Sequence, residues 1–294
     1  MTPSQIRSAV QKAQRDAQRA VDNYNRAARQ YNSAVTKFVN DYNREIRNYN
    51  AKARAHNQRV ESQRRRLNQE LRRLQSRPAT TTFTVVRRST TTFVDAYSRA
   101  EAHLSGQAGP TQEFLDLTSD EAANSVYLLN ALDGDGDPDD DMTAEELRAP
   151  SLGEELARFG TDLVNRWVGA LYALSPHNPD AARHFCTSAR EVVISILDTS
   201  APDATVLTEV PNCEMHDKKA PTRRAKVTYL LRRKGIVSDK LADAVAEDVN
   251  NVLDLFSDFN RGTHGHAGSF TLTELTAIRT RVESAVLFLT KLAA

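Results

Sequence analysis

One stretch near the end of the chain, Asp258-Phe259-Asn260-Arg261-Gly262-Thr263-His264-Gly265-His266-Ala267-Gly268, sets an arginine, an asparagine and two histidines between two amphipathic segments. Arg261 and His266 make an R-x4-H spacing, and Asn260 with His264 makes an overlapping N-x3-H. A guanidinium is a permanent cation suited to holding a phosphate and the charge of a pentacovalent transition state. An imidazole with an ordinary pKa near ~6.5 takes or gives a proton at neutral pH. Together they suit metal-free cleavage of RNA, in which the histidine deprotonates a ribose 2′-OH that attacks the adjacent phosphate. Backbone N–H groups at the start of the following helix favour an anion at the same place. Asn260, Arg261, His264 and His266 are therefore the candidate catalytic residues, and the spacing leaves the choice between the two histidines open. R-x4-H alone is a weak signal, and a capped turn with a surface arginine is the plainer alternative.

Further basic residues are candidates for contacts to an RNA backbone: Arg190 in mid-helix, and Arg223 with Arg224 at the start of a basic helix. Each also fits an ordinary solvated helix face. Cys186 and Cys213 lack a metal-ligand spacing and indicate neither a zinc site nor a disulfide framework. The tract Asp133-Gly134-Asp135-Gly136-Asp137-Pro138 has the alternation of a calcium loop, with Asp133, Asp135 and Asp137 as weak ligand candidates. The EF-hand pattern fails, because counting from Asp133 puts Pro138 where the loop needs glycine. A solvated acidic linker is the better reading, and no cofactor is expected.

The elements that must position these groups follow from composition and period. Residues 1–77 hold 18 Lys/Arg against 6 Asp/Glu, a net of +12, whereas 95–160 hold 3 Arg against 16 Asp/Glu, a net of −13. Such segments attract each other or address different partners. From Ser4 to Arg77 there is neither glycine nor proline, and Val10, Ala17, Tyr24, Tyr31 and Phe38 recur on a heptad. A second register follows at Ile46, Ala53, Val60, Leu67 and Leu74. The expectation is a coiled-coil arm, either one long helix or a helical hairpin, that joins copies of the chain. Its basic face, with Arg64, Arg65, Arg66, Arg72 and Arg73, either tracks a phosphate backbone or flanks the oligomer seam.

After Pro78 the β-branched runs Thr80–Val86 and Ser89–Val94 predict a small β-hairpin junction over 78–110. Residues 111–150 are expected to be an acidic helical linker. From 151 to 294, amphipathic segments with short connections predict an all-α bundle. Capping boxes are expected at Thr143-x-x-Glu146, Ser151-x-x-Glu154 and Thr271-x-x-Glu274. No apolar run is long enough to span a bilayer and the N-terminus lacks a secretory core, so a cytoplasmic protein without a membrane partner is expected.

At Arg261, His264 and His266 the chain resembles HEPN-domain ribonucleases of bacterial defence systems, whose R-x4-6-H motif lies at a helix junction. Gly262 departs from the Asn, Asp or His that usually follows that arginine. Arg183–Glu191, the Ala201-Pro202-Asp203 turn, Pro221-Thr222-Arg223-Arg224 and Thr263-His264-Gly265 also resemble the predicted nucleases associated with prokaryotic Piwi-like proteins. The resemblance covers about residues 155–292 and favours His264. It implies an anti-phage endoribonuclease with RNA as substrate, a homo-oligomer joined by the arm, and a defence-system partner protein or phage trigger. The alternative is a non-catalytic oligomeric adaptor or sensor, or a nucleic-acid-binding structural protein.

Overall fold

The computed structural model describes residues 2–76, 83–104, 106–107, 109–175, 177–210, 212–216, 220–260 and 270–294. Among these residues the fold is all-α, as the periodicity predicts. The helices are α1 (Pro3–Ser76), α2 (Thr84–Leu104), α3 (Pro110–Leu132), α4 (Gly153–Ala157), α5 (Thr161–Ala173), α6 (Ala181–Ser200), α7 (Asp203–Glu209), α8 (Arg223–Arg233), α9 (Asp239–Asn260) and α10 (Leu272–Ala293). Strands β1 (Met215–His216) and β2 (Ala220–Pro221) form a minimal antiparallel pair. The chain divides into two compact units, Met1–Val60 and Glu61–Ala294.

Helix α1 runs without a break from Pro3 to Ser76, so the helical-hairpin alternative falls away. Within the first unit none of the described residues is buried, and the heptad aromatics Tyr24, Tyr31 and Phe38 stand 75%, 70% and 73% exposed.

The second unit begins with the last turns of α1, which pack through Leu67. Here the basic and acidic segments meet. The Arg64 guanidinium lies 2.9 Å from the Glu101 carboxylate, Gln63 donates to Asp120 at 2.6 Å, and Arg66 sits 5.9 Å over the Tyr127 ring. Asn130 donates to the buried Glu70 carboxylate at 2.7 Å, and Arg73 reaches Asp137 at 3.6 Å.

Residues 78–82 of the predicted β-hairpin lie outside the described residues, and most of the rest is a helix. Thr84–Leu104 forms α2, with Val86, Thr90, Phe93, Tyr97, Ala100 and Leu104 buried on one face. That three-to-four spacing outweighs the β-branched composition, because it lays an apolar stripe along α9. The hydroxyls that would weaken a helix bond back to it: Thr91 donates to the Arg87 carbonyl at 3.0 Å and Thr92 to that of Arg88 at 3.1 Å.

The acidic linker is corrected as well. Helix α3 is buried on most of its surface and packs against α2, α9 and α10 at the centre of the unit. The aspartate tract after it is anchored at Asp133, Asp137 and Asp141, while Asp139 and Asp140 are exposed as a solvated tract requires. Asp133 pairs with Arg87, Asp137 accepts the Asp139 N–H and pairs with Arg73, and Asp141 accepts from Thr273 at 2.8 Å. Among the described residues, no group of three or more His, Cys, Asp or Glu side chains is placed to hold a metal.

Local capping signals have mixed outcomes. The Thr271–Glu274 box closes at the start of α10. The Thr143–Glu146 box also closes, but it opens a single 3-10 turn over Glu146–Arg148. The Ser151–Glu154 box does not form, and Ser151 accepts instead from the Trp167 indole at 3.2 Å. After it come two helices, α4 and α5, split at Gly160, whose φ of 110° suits glycine.

The centre of the unit carries a buried charge network. Arg281, fully buried, donates to Glu121 at 2.6 Å, Asp248 at 2.5 Å and Asn251 at 3.1 Å. Asn251 in turn donates to Ser89 and Thr90, both at 3.0 Å. Helices α2, α3, α9 and α10 are thus fastened by polar groups that water cannot reach.

Candidate active site

Of the four candidate catalytic residues, only Asn260 is among the described ones; Arg261, His264 and His266 lie outside them. Asn260 is the last residue of α9, and its Oδ1 lies 2.9 Å from the Thr187 hydroxyl of α6. That contact joins the start of the R-x4-H segment to one face of α6. On the same face, a turn before and a turn after Thr187, stand Arg183 and the exposed Arg190.

Beside this face opens a cleft of about 460 Å³ between α5 and α6, lined by Gly169, Tyr172, Asn178, His184, Thr187 and Ser188. Its walls are set by the core beneath: Trp167 and Phe185 pack with ring centroids 5.8 Å apart and fix α5 against α6. Around the rim, Asn178 donates to the Ala173 carbonyl at 2.9 Å and lies 3.4 Å from His184 Nδ1. His184 Nε2 lies 3.5 Å from Asp180, which also pairs with Arg183. His184 thus presents Nδ1 to the Asn178 amide and Nε2 to the Asp180 carboxylate. The sequence allows His184 either to flank the site or to be a partly buried structural histidine; it is exposed, at the rim of the cleft.

Arg223 and Arg224 lie elsewhere on the unit, in a larger cleft of about 690 Å³ that also takes in Arg99, Glu214, His216 and Glu247. Thr222 caps α8 by accepting the Ala225 N–H at 3.2 Å, which fixes the direction of both arginines. Arg224 donates to Asp243 at 2.6 Å, and that bond pushes its pKa up. Burial opposes the charge on Lys226, but Asp198 at 2.6 Å and Asp203 at 2.7 Å push its pKa up overall. Arg223 donates to Asn250, a neutral amide, at 3.1 Å. Of these cations, Arg223 has the partner that leaves its charge unneutralised. Arg99, Glu214 and Glu247 reach this cleft from helices or loops distant in sequence, so no motif announced them.

Cys186 is fully buried, and burial pushes its thiol pKa far up, which rules it out as a nucleophile. The five arm arginines have separate fates. Arg64, Arg66 and Arg73 are engaged within the second unit, Arg65 pairs with Glu61 one turn away at 3.0 Å, and Arg72 is exposed.

Residues 156–289 match a family described as "Predicted pPIWI-associating nuclease". The match runs from α4 to α10 and includes both clefts' α6, α8 and α9 residues, but it spans just under half of the chain. No curated protein and no solved structure matches the chain. The bundle is thus similar to a nuclease family linked to prokaryotic Piwi proteins. No described helix is long and apolar enough to cross a membrane.

Proposed function

We propose that the bundle is a metal-independent endoribonuclease, an effector of anti-phage defence, oligomerised through the exposed seam of α1. The match of residues 156–289 to a predicted nuclease family carries this reading. The bond from Thr187 to Asn260 supports the location, because it holds the residue preceding Arg261 against an arginine-bearing face of α6. In the reaction Arg261 holds the scissile phosphate. His264, or His266, takes the 2′-OH proton as the 2′-oxygen bonds to phosphorus. The bond from phosphorus to the 5′-oxygen breaks, that oxygen leaves with the proton the histidine returns, and a 2′,3′-cyclic phosphate remains. Arg190 and Arg223 hold backbone phosphates on either side. A defence-system partner protein or phage product would release the activity.

Incubation of the full chain with RNA in EDTA tests this directly. Cleavage leaving cyclic phosphate ends is expected, with Arg261→Ala and His264→Ala each lowering the rate at least about 100-fold. Wild-type rates in Arg261→Ala and in both histidine variants would overturn the site. RNA or duplex binding without cleavage would favour the non-catalytic reading.

A further inference from the structure

We propose that the cleft between α5 and α6 is a nucleobase subsite, which takes a base turned out of the strand beside the scissile phosphate. The inference rests on the reading of the bundle as an RNA-cleaving nuclease. Three independent features converge there.

The first is an exposed aromatic where none is needed for folding. Among the described residues of the second unit, the large hydrophobics that stand exposed are Val168, Tyr172, Leu207 and Val237. Two of these flank one surface of α5, and the Tyr172 ring is 76% exposed at the edge of the cleft. Every base has an aromatic face, so an exposed ring offers a stacking platform for any of them.

The second is Gly169, inside α5 and lining the cleft. Glycine destabilises a helix interior relative to alanine. No crowding requires it here, because a Cβ at this position would meet no atom within 4 Å. The missing side chain leaves the backbone open to a flat ligand that approaches from solvent.

The third is a rim of polar groups lining the same cleft as the ring. Asn178 is tied to the Ala173 carbonyl, His184 is held between Asn178 and Asp180, and the Ser188 hydroxyl lines the cleft. A stacking ring with polar groups around its edge suits a base, whose faces are apolar and whose edges are polar. The adjacent exposed Arg190 supplies positive charge for the strand that carries it. An interface with a protein would use the ring but would not need the polar rim.

The probe is a single-stranded RNA oligonucleotide with 2′-O-methyl groups, which binds but cannot be cleaved. With the full chain, fluorescence anisotropy should show Tyr172→Ala binding about tenfold more weakly and Tyr172→Phe close to wild type. Gly169→Leu should weaken binding comparably while raising helix propensity, so it reads the subsite even if Tyr172→Ala folds poorly. Cleavage of unmodified RNA should show a raised KM in both. Unchanged binding in Tyr172→Ala and Gly169→Leu, with wild-type protein still cleaving RNA, would overturn the subsite alone. A drop in solution mass in Tyr172→Ala would assign the surface to contacts between copies and overturn it too. Failure of the wild-type chain to bind or cleave RNA would overturn the nuclease reading and the subsite with it.

Discussion

Helix α1 contains two stretches of similar composition with opposite surroundings. Up to Val60 its tyrosines and Phe38 face solvent and no described residue is buried. From Glu61 to Ser76 the same kind of sequence buries Leu67 and Glu70 and directs Arg64 and Arg73 to carboxylates. Helical period therefore specified a face in both stretches, but not what covers it. In the second stretch the cover is the chain itself; in the first, the proposed cover is a second copy.

Charge removal should separate the two units most. Arg281→Ala strands the Glu121 and Asp248 carboxylates in the core and should cost about 3–5 kcal/mol in urea denaturation. The equivalent change in the first unit, Arg29→Ala, should stay within about 0.5 kcal/mol. Equal losses would erase the distinction.

Leu67→Ala comes next and should lower stability by about 2–4 kcal/mol, since the side chain is 6% exposed. Tyr31→Ala combined with Phe38→Ala should leave the denaturation of the second unit unchanged but reduce the mass seen by light scattering. An unchanged mass would remove the seam from the oligomer interface.

The buried network also sets a pH dependence. Burial and the neighbouring Asp248 push Glu121 up to about 8, against the opposing pull of Arg281. Its folded pKa is thus above the unfolded value. The stability it contributes is complete below the ordinary carboxylate range and is lost as pH rises through about 8. Burial pushes Asp248 up as well, so the pair titrates together; the unfolding free energy should fall between pH 5 and pH 9 by on the order of 2 kcal/mol, and Glu121→Gln should reduce that fall. A profile equally steep in the variant would place the titration elsewhere. The smallest effect is expected for Arg64→Ala: loss of the half-exposed pair with Glu101 should cost about 0.2–1 kcal/mol, and high salt should mask it.

Much of the helical layout was legible because its signals are local. The Thr271–Glu274 box and the apolar stripes of α9 and α10 lie within a few turns of sequence. The hairpin expectation failed because threonine and valine weigh toward strands in isolation, while the apolar face of α2 has value only once α9 lies against it. For the same reason the aspartate tract looked solvated until Arg73, Arg87 and Thr273 were placed beside it.

The site divides along the same line. Residue types and spacing by themselves singled out Asn260, Arg261 and the histidines as candidates for phosphodiester chemistry and determined that α9 and α10 are helical, since both signals belong to neighbours along the chain. Tertiary structure alone decided that Asn260 meets Thr187, that α5 and α6 flank an open cleft, and that Arg281 meets Glu121 across 160 residues. Packing brings together groups whose separation in sequence carries no trace of the contact.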